Sequence, residues 1–509
     1  MPTLPREPAA APVPPPRWAK VIDQTRCIGC HACTTACKSE NEVPLGVTRT
    51  YVKSVDAGVF PLARRAFQVT RCNQCDRAPC TTACPTAAMF RRSDGIVDFD
   101  KSVCIGCKAC IAACPYDAIF INPEDGFAEK CNFCAHRLDV GLAPSCVIVC
   151  PTEAILVGDL NDAASPVTRL VNREALAVRR PEKGTHPKLF YRGGHPAALD
   201  PLAAARPGGG LFMWSEQSAG PGLVVSGHPA PAGAPNNSAA ALLSYDIPHG
   251  MPWDWRVSLY TLTKSVAAGA YLVAWLLAAA GGLALDGAIL RWIAPAISLA
   301  FLAITGALLV WDLEHPERFW MIFTRPQWRS WLVRGGFILA GFGLCLAAHA
   351  AAPIPAAIPG IPLAVLAAAY TGWLFAQAKG RDLWQSPLTA PHLVVQALVA
   401  GAAALLPAAL LTEPAAAAPL ALLLSIAGGV HLLLIAAELM LPHPTVHASL
   451  AAREITRGRY RGWLLTAVAA GLAGLLAPWA GLPAAAAAVL GIGAFEHAWV
   501  QGGQSVPQA

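Results

Sequence analysis

Sixteen of the seventeen cysteines lie between Cys27 and Cys150, in four runs of four. Cys27, Cys30, Cys33 and Cys37 are spaced C-x2-C-x2-C-x3-C, and so are Cys104, Cys107, Cys110 and Cys114. Cys72, Cys75, Cys80 and Cys84 widen the middle gap to four residues; Cys131, Cys134, Cys146 and Cys150 widen it to eleven. Both keep the final x3. Three thiolates in a tight loop can wrap three corners of a [4Fe-4S] cube, while the fourth cysteine opens a helix and reaches a neighbouring cube, often with proline after it. Pro85, Pro115 and Pro151 follow three of the runs, and Lys38 follows the other. Zinc sites and disulfides fit poorly. Zinc ligands come as separated pairs, and no secretory signal points to an oxidising compartment. The spacing therefore predicts iron-sulfur ligation by all sixteen cysteines.

The elements that must position these ligands follow from the rest of the chain. Hydrophobic residues make up 55% and charged residues only 14%, and the excess is confined to the second half. Residues 1–17 are rich in proline and alanine, with neither an apolar signal core nor a twin-arginine pair, and read as a flexible lead-in. Residues 18–159 form the cluster domain, with Gly95–Phe99 and Ala118–Ile121 as hairpin strands. Residues 160–250 are a connector, a strap or a plain linker, with a helix at Ser165–Val178. Residues 251–509 carry eight apolar segments of membrane-crossing length, at 258–282, 289–311, 331–352, 357–377, 390–411, 417–440, 463–480 and 482–502. The expected fold class is an α+β ferredoxin-like multi-cluster domain followed by an all-α eight-helix transmembrane bundle. A net charge of +6 without a basic, aromatic surface excludes nucleic acid as a partner.

Over residues 20–190 the cysteine runs resemble the four-cluster ferredoxin subunits of complex iron-sulfur molybdoenzymes, the group that includes dimethyl sulfoxide, polysulfide and nitrate reductases and membrane formate dehydrogenases. The resemblance implies four [4Fe-4S] clusters and a pairing of the first run with the fourth and the second with the third. Cys27, Cys30, Cys33 and Cys150 would then share one cluster, and Cys37, Cys131, Cys134 and Cys146 its neighbour. Cys72, Cys75, Cys80 and Cys114 would share a third, and Cys84, Cys104, Cys107 and Cys110 a fourth. A second stretch, Asp312-Leu313-Glu314-His315-Pro316-Glu317-Arg318-Phe319 followed by Arg325-Pro326, Ser330 and Gly335, resembles the NrfD/PsrC family of quinone-reactive membrane subunits. The chain thus looks like a fusion of two subunits that are usually separate.

Ionisable residues inside membrane helices are costly and mark function. The candidates for binding quinone are Lys264, Asp312, His392, His431 and Glu438, with His431 and Glu438 seven apart on one helix face. Reduction of a quinone takes two electrons and two protons, which a histidine with a carboxylate can serve. Asp312 could instead pair with Arg318 at the membrane surface. Haem would need two histidines at matched depth; among His349, His392, His431, His443, His447 and His497 only His392 with His431 qualifies, so haem is not expected. Cys345 reads as a small buried hydrophobe.

Of the thirteen Lys and Arg after residue 250, all but Arg291 lie on the cluster side. The positive-inside rule then places the clusters on the cytoplasmic face of the inner membrane. The resulting expectation is an electron-transfer and anchor subunit, itself without substrate chemistry, between the quinone pool and a partner catalytic subunit. By the resemblance that partner carries molybdopterin with molybdenum or tungsten, and the cytoplasmic facing favours a sulfite-dehydrogenase-like complex. The alternatives are a redox-driven ion-translocating module and a quinone reductase fed by a soluble donor.

Overall fold

A computed structural model describes residues 14–58, 61–204 and 241–508. Most of the expected lead-in and residues 205–240 of the expected connector lie outside the described residues.

The cluster domain is built on very short strands. In chain order β1 (Trp18–Asp23), β2 (Thr50–Ala57), β3 (Arg64–Arg71), β4 (Met89–Arg91), β5 (Val97–Phe99), β6 (Ile119–Ile121), β7 (Ala128–Lys130), β8 (Ile155–Asp159), β9 (Leu189–Arg192) and β10 (Leu242–Tyr245) form two three-stranded sheets and two hairpins. β1 is central in the first sheet, antiparallel to β8 and parallel to β9. β2 is central in the second, between β10 and β3. The hairpins β4–β5 and β6–β7 fall where the apolar segments predict strands. β9 comes from the stretch expected to be connector, because its alternating Leu189 and Tyr191 are buried against β1. The helix expected at Ser165–Val178 is shorter, Pro166–Arg173.

Local rules explain how the cysteines are presented. In all four C-x-x-C loops the residue before the second cysteine is left-handed: Gly29, Gln74, Gly106 and Phe133. That turns the loop back on itself so that consecutive thiols converge. A residue before proline is forced out of the helical region. Cys84 and Cys114, each followed by proline, are accordingly extended and end five-residue helices at Pro79–Ala83 and Ala109–Ala113. Lacking that proline, the helix holding Cys37 runs on to Glu40.

Among the described residues seven helices are long and apolar enough to cross a membrane: α1 (Trp255–Ala279), α2 (Ile289–Trp311, its first turn π-helical), α3 (Trp331–His349), α4 (Pro353–Gln377), α5 (Thr389–Thr412), α6 (Pro414–Met440) and α7 (Leu482–Gly503). The eighth expected segment, 463–480, is instead a 14-residue helix, Arg461–Gly474, followed by a turn of helix at Ala477–Ala480. At 1.5 Å per residue the longer piece spans about 21 Å, short of a hydrocarbon core of about 30 Å. α1 is the most enclosed span. It meets α5 so closely that a Cβ on Gly269 would lie 1.8 Å from the Ala397 carbonyl oxygen, and one on Gly401 2.1 Å from the Gly269 carbonyl carbon. Such backbone contact is how helices pack where lipid gives no hydrophobic drive.

Candidate functional site

The fold gathers the sixteen thiols into four groups. Cys27 and Cys33 face each other and Cys150, with Cys30 beside Cys27. Cys37 faces Cys131, Cys134 and Cys146. Cys80 faces Cys72, Cys75 and Cys114, and Cys110 faces Cys84, Cys104 and Cys107. The groups are also strung in order: Cys33 reaches Cys146, Cys72 reaches Cys131, and Cys110 reaches Cys80. Every thiol is free of disulfide bonding. Among the described residues no group of three His, Cys, Asp or Glu is set to hold a single ion. Cys84, Cys104, Cys107 and Cys110 together line one space. Four thiols around a space are the donor set of a [4Fe-4S] cube, and the residues fit that cofactor.

The environments of the groups differ. Burial pushes the Cys33 thiol up to about 11 and Cys37 up to about 12. Burial acts the same way on Cys146, but the Arg71 guanidinium and the Lys20 ammonium bring that thiol down to about 7. Arg71 Nη1 donates to Cys146 Sγ at 2.9 Å and Lys20 Nζ at 3.6 Å. At one end of the string Cys30 is exposed, beside the exposed Ile28.

At the other end the string meets the membrane. Lys108 follows Cys107; its Nζ donates to the Asp312 carbonyl at 3.1 Å and pairs with Glu314 at 2.9 Å. Arg318 donates to the carbonyls of Lys101 and Cys104 at 3.0 and 3.2 Å. His315 stacks on Phe127 at 4.1 Å and bonds the Asp125 carbonyl at 2.8 Å. Much of the Asp312–Phe319 stretch therefore clasps the loops around the fourth group. The ion pair considered between Asp312 and Arg318 does not form, because Arg318 is spent on carbonyl oxygens and the cation near Asp312 is Lys108.

Below this clasp a cavity of about 320 Å3 opens between α1, α2, α3 and α4. Its walls are apolar apart from Asp312, Tyr260 and Tyr370, and its roof includes Cys107 and Trp253. Trp253 Nε1 donates to the Cys107 carbonyl at 3.2 Å. Asp312 Oδ1 is buried with no hydrogen-bond partner. Burial pushes the Asp312 carboxyl up to about 6; Asp254 and Glu314 add to the rise, and Lys108 and Arg256 oppose it.

The other four candidates lie apart from this cavity. His392 bonds Glu438 through Nδ1 at 2.7 Å and His431 through Nε2 at 2.8 Å. Both nitrogens of His392 are used in this way, which makes the two histidines and Glu438 one hydrogen-bonded set. Lys264 donates to the Ala368 carbonyl at 2.7 Å and Thr371 Oγ1 at 2.8 Å, and its Nζ stands 5.1 Å from the Tyr370 ring, behind the cavity wall. Glu496 on α7 faces both Lys264 and Glu438, and its Oε2 has no partner. Sequence reasoning passed over Glu496, although a glutamate within an apolar helix is itself the signal.

Known proteins bear on both halves. Residues 18–39 match the 4Fe-4S binding domain family, residues 63–160 the 4Fe-4S dicluster domain family, and residues 245–441 the family described as polysulphide reductase, NrfD. Over 210 residues the chain is 43% identical to the B component of tetrathionate reductase from Salmonella typhimurium, covering 39% of this chain and 80% of that protein. It is 43% identical over 177 residues to protein NrfC of Escherichia coli, covering 34% and 79%. Against the B component of polysulfide reductase from Wolinella succinogenes the identity is 40% over 177 residues, covering 34% and 93%.

Proposed function

Since the chain belongs to the family of iron-sulfur subunits of tetrathionate and polysulfide reductases, and carries an NrfD domain on the same polypeptide, we propose that it wires a molybdopterin-bearing catalytic partner to the membrane quinone pool through four [4Fe-4S] clusters. Each cluster, when bound, takes up and passes on one electron. The sixteen cysteines hold the clusters in sequence, with Cys30 at the exposed end toward the partner and Cys107 at the membrane end.

The observation that carries this reading is that Cys107 lines both the fourth thiol group and the apolar cavity that contains Asp312. A cavity of about 320 Å3 with few polar groups suits a small apolar ligand. A quinone head there sits against the last cluster ligand, and Asp312 exchanges a proton at its oxygen. Tyr260 and Tyr370 shape the slot, and Trp253 keeps water from the roof.

Cytoplasmic facing is supported by exposed cations on the cluster side that the clasp does not use, among them Arg325, Arg329, Lys379, Arg453 and Arg457, against Arg291 opposite. The names of two relatives point to small sulfur compounds as the partner's substrates, which keeps a sulfite-dehydrogenase-like complex in view. The buried set of Lys264, Glu496, Glu438, His392 and His431 favours a second reading, coupled ion movement, which voltage generation in proteoliposomes would support.

Purification from native membranes with elemental analysis tests the main reading. About sixteen iron per chain, beyond any on the partner, with near-stoichiometric molybdenum or tungsten and a large copurifying chain is the expected result. Iron without either metal or a large partner would replace it with the soluble-donor alternative.

A further inference from the structure

Several buried cations in the cluster domain are balanced by protein carboxylates, while Lys130 and Arg179 bond backbone carbonyls instead. Arg49 pairs with Glu129 at 2.7 Å, and Lys188 pairs with Asp76 at 3.5 Å. Arg71 and Lys20 differ in that both reach a cysteine sulfur. Both are buried, at 2% and 1% exposure, and among the described residues neither forms an ion pair with a carboxylate. Arg71, on β3, has Nη1 on Cys146 and leaves Nε and Nη2 without partners. Lys20, on β1, lies over the Phe133 ring at 4.1 Å and points its Nζ at Cys146. Two full positive charges are thus held in the interior with thiols to balance them, Cys146 in direct contact and, for Arg71, Cys33 and Cys27 of the first group farther off. Burial of that kind is sustained only by an opposite charge.

The same group collects neutral donors as well. Asn41 Nδ2 lies 3.6 Å from Cys37 Sγ and 3.9 Å from Cys134 Sγ, and Ser145 Oγ lies 3.7 Å from Cys134 Sγ. The contrast with its neighbours is direct. The fourth group receives a backbone N–H from Met89 and the hydroxyl of Thr86 at Cys84, and the first receives the Ala154 N–H and the hydroxyl of Thr152 at Cys150. These donors are neutral, and the third group, though Lys130 and Lys188 lie near Cys72, has no charged donor on a sulfur among the described residues. The other charges near the second group are Lys130, which donates to the Cys131 carbonyl at 3.4 Å, and the mutually neutralising Arg49 and Glu129.

A cluster gains one negative charge when reduced, and fixed cations and sulfur hydrogen bonds favour that state. We propose that Arg71 and Lys20 give the cluster held by Cys37, Cys131, Cys134 and Cys146 the most positive reduction potential of the four, so that it is the site where a single electron comes to rest within the wire. Arg71 and Lys20 are positioning residues: they act on the cluster through its ligand Cys146. The inference rests on the four-cluster reading above.

The test is a redox titration of the whole purified chain, followed by electron paramagnetic resonance, with iron counted in every sample. The highest-potential step should fall in Arg71→Met by tenfold or more in its reduction equilibrium, about 59 mV for one electron. Lys20→Met should lower the same step by less, Arg71→Lys should retain most of it, and the other three steps should move little. Lys20→Met keeps the Arg71 contact, so it reads the effect even where loss of Arg71 costs the cluster. An unmoved highest step with four clusters intact, or equal movement of all four, overturns the assignment. Fewer than four clusters in the unsubstituted chain would overturn the reading beneath it instead.

Discussion

Lys108, the residue after a cluster cysteine, donates to the carbonyl of Asp312 across 204 positions of sequence, and its ammonium stands 3.7 Å from the Asp312 carboxylate. One side chain thus touches both a cysteine loop and the Asp312 wall of the cavity. Asp312→Asn should lower quinone turnover about 100-fold, the scale of a lost general acid or base. Reduction of the clusters by dithionite should stay unchanged. Equal turnover in the variant would remove Asp312 from the chemistry.

The pH dependence follows from the same carboxyl. With Asp312 at about 6, quinone reduction, which needs the proton, should fall as pH rises through 6. Quinol oxidation, which needs the carboxylate, should rise over the same range. Both breaks should vanish in Asp312→Asn, as measured with a water-soluble quinone analogue in each direction.

His249, before α1, ties that segment to the cluster domain through ion pairs to Asp117 and, at 3.1 Å, to Asp246. Burial alone would lower its pKa, but Asp246 and Asp117 hold it up at about 9, above the usual 6.5. A raised folded value means the stabilisation is complete below about 6.5 and is lost as pH rises through 9. Thermal unfolding in detergent should show a loss of about 3 kcal/mol over that window. His249→Gln should be less stable at pH 6 and flat across it.

Removing iron should unfold the cluster domain and spare the bundle. β4 to β7 have three residues each, too few to hold hairpins alone, so the clusters supply much of the folding free energy. Chelation under reducing conditions should open residues 18–204 to trypsin while the membrane helices stay protected. A protease-resistant apoprotein would contradict this.

The α1–α5 crossing has no room for a side chain. Gly269→Val should cost about 3 kcal/mol or more, since its Cβ would overlap the Ala397 carbonyl. The expected readout is loss of monodisperse protein on gel filtration in detergent.

What was legible in the sequence was what is local. Cysteine spacing, proline after cysteine and apolar length are all carried within a few residues, and they locate the thiol loops, the hairpins and the seven long helices. The grouping of Cys37 with Cys146 came from family resemblance, because it joins distant runs. The partner of Asp312 was missed for the same reason: Lys108 looks like one more surface lysine until the two halves meet. The eighth segment is divided, since one helix ends at Gly474 and Pro478 opens a separate turn within a stretch whose average composition still reads as a span. Of the five quinone candidates only Asp312 lines the cavity, and composition alone cannot separate a buried polar couple such as His392 and Glu438 from a wall residue.

The clasp between the Asp312–Phe319 stretch and the cluster loops is one part of a wider seam, in which Ser330 and Gln327 bond the carbonyls of Ala83 and Pro85 at 2.8 Å, and Ile105 and Cys107 pack with Trp253 and Trp384. Here both sides belong to one polypeptide. Their encounter is governed by an effective concentration set by the tether rather than by expression level, so the two halves meet in fixed one-to-one proportion.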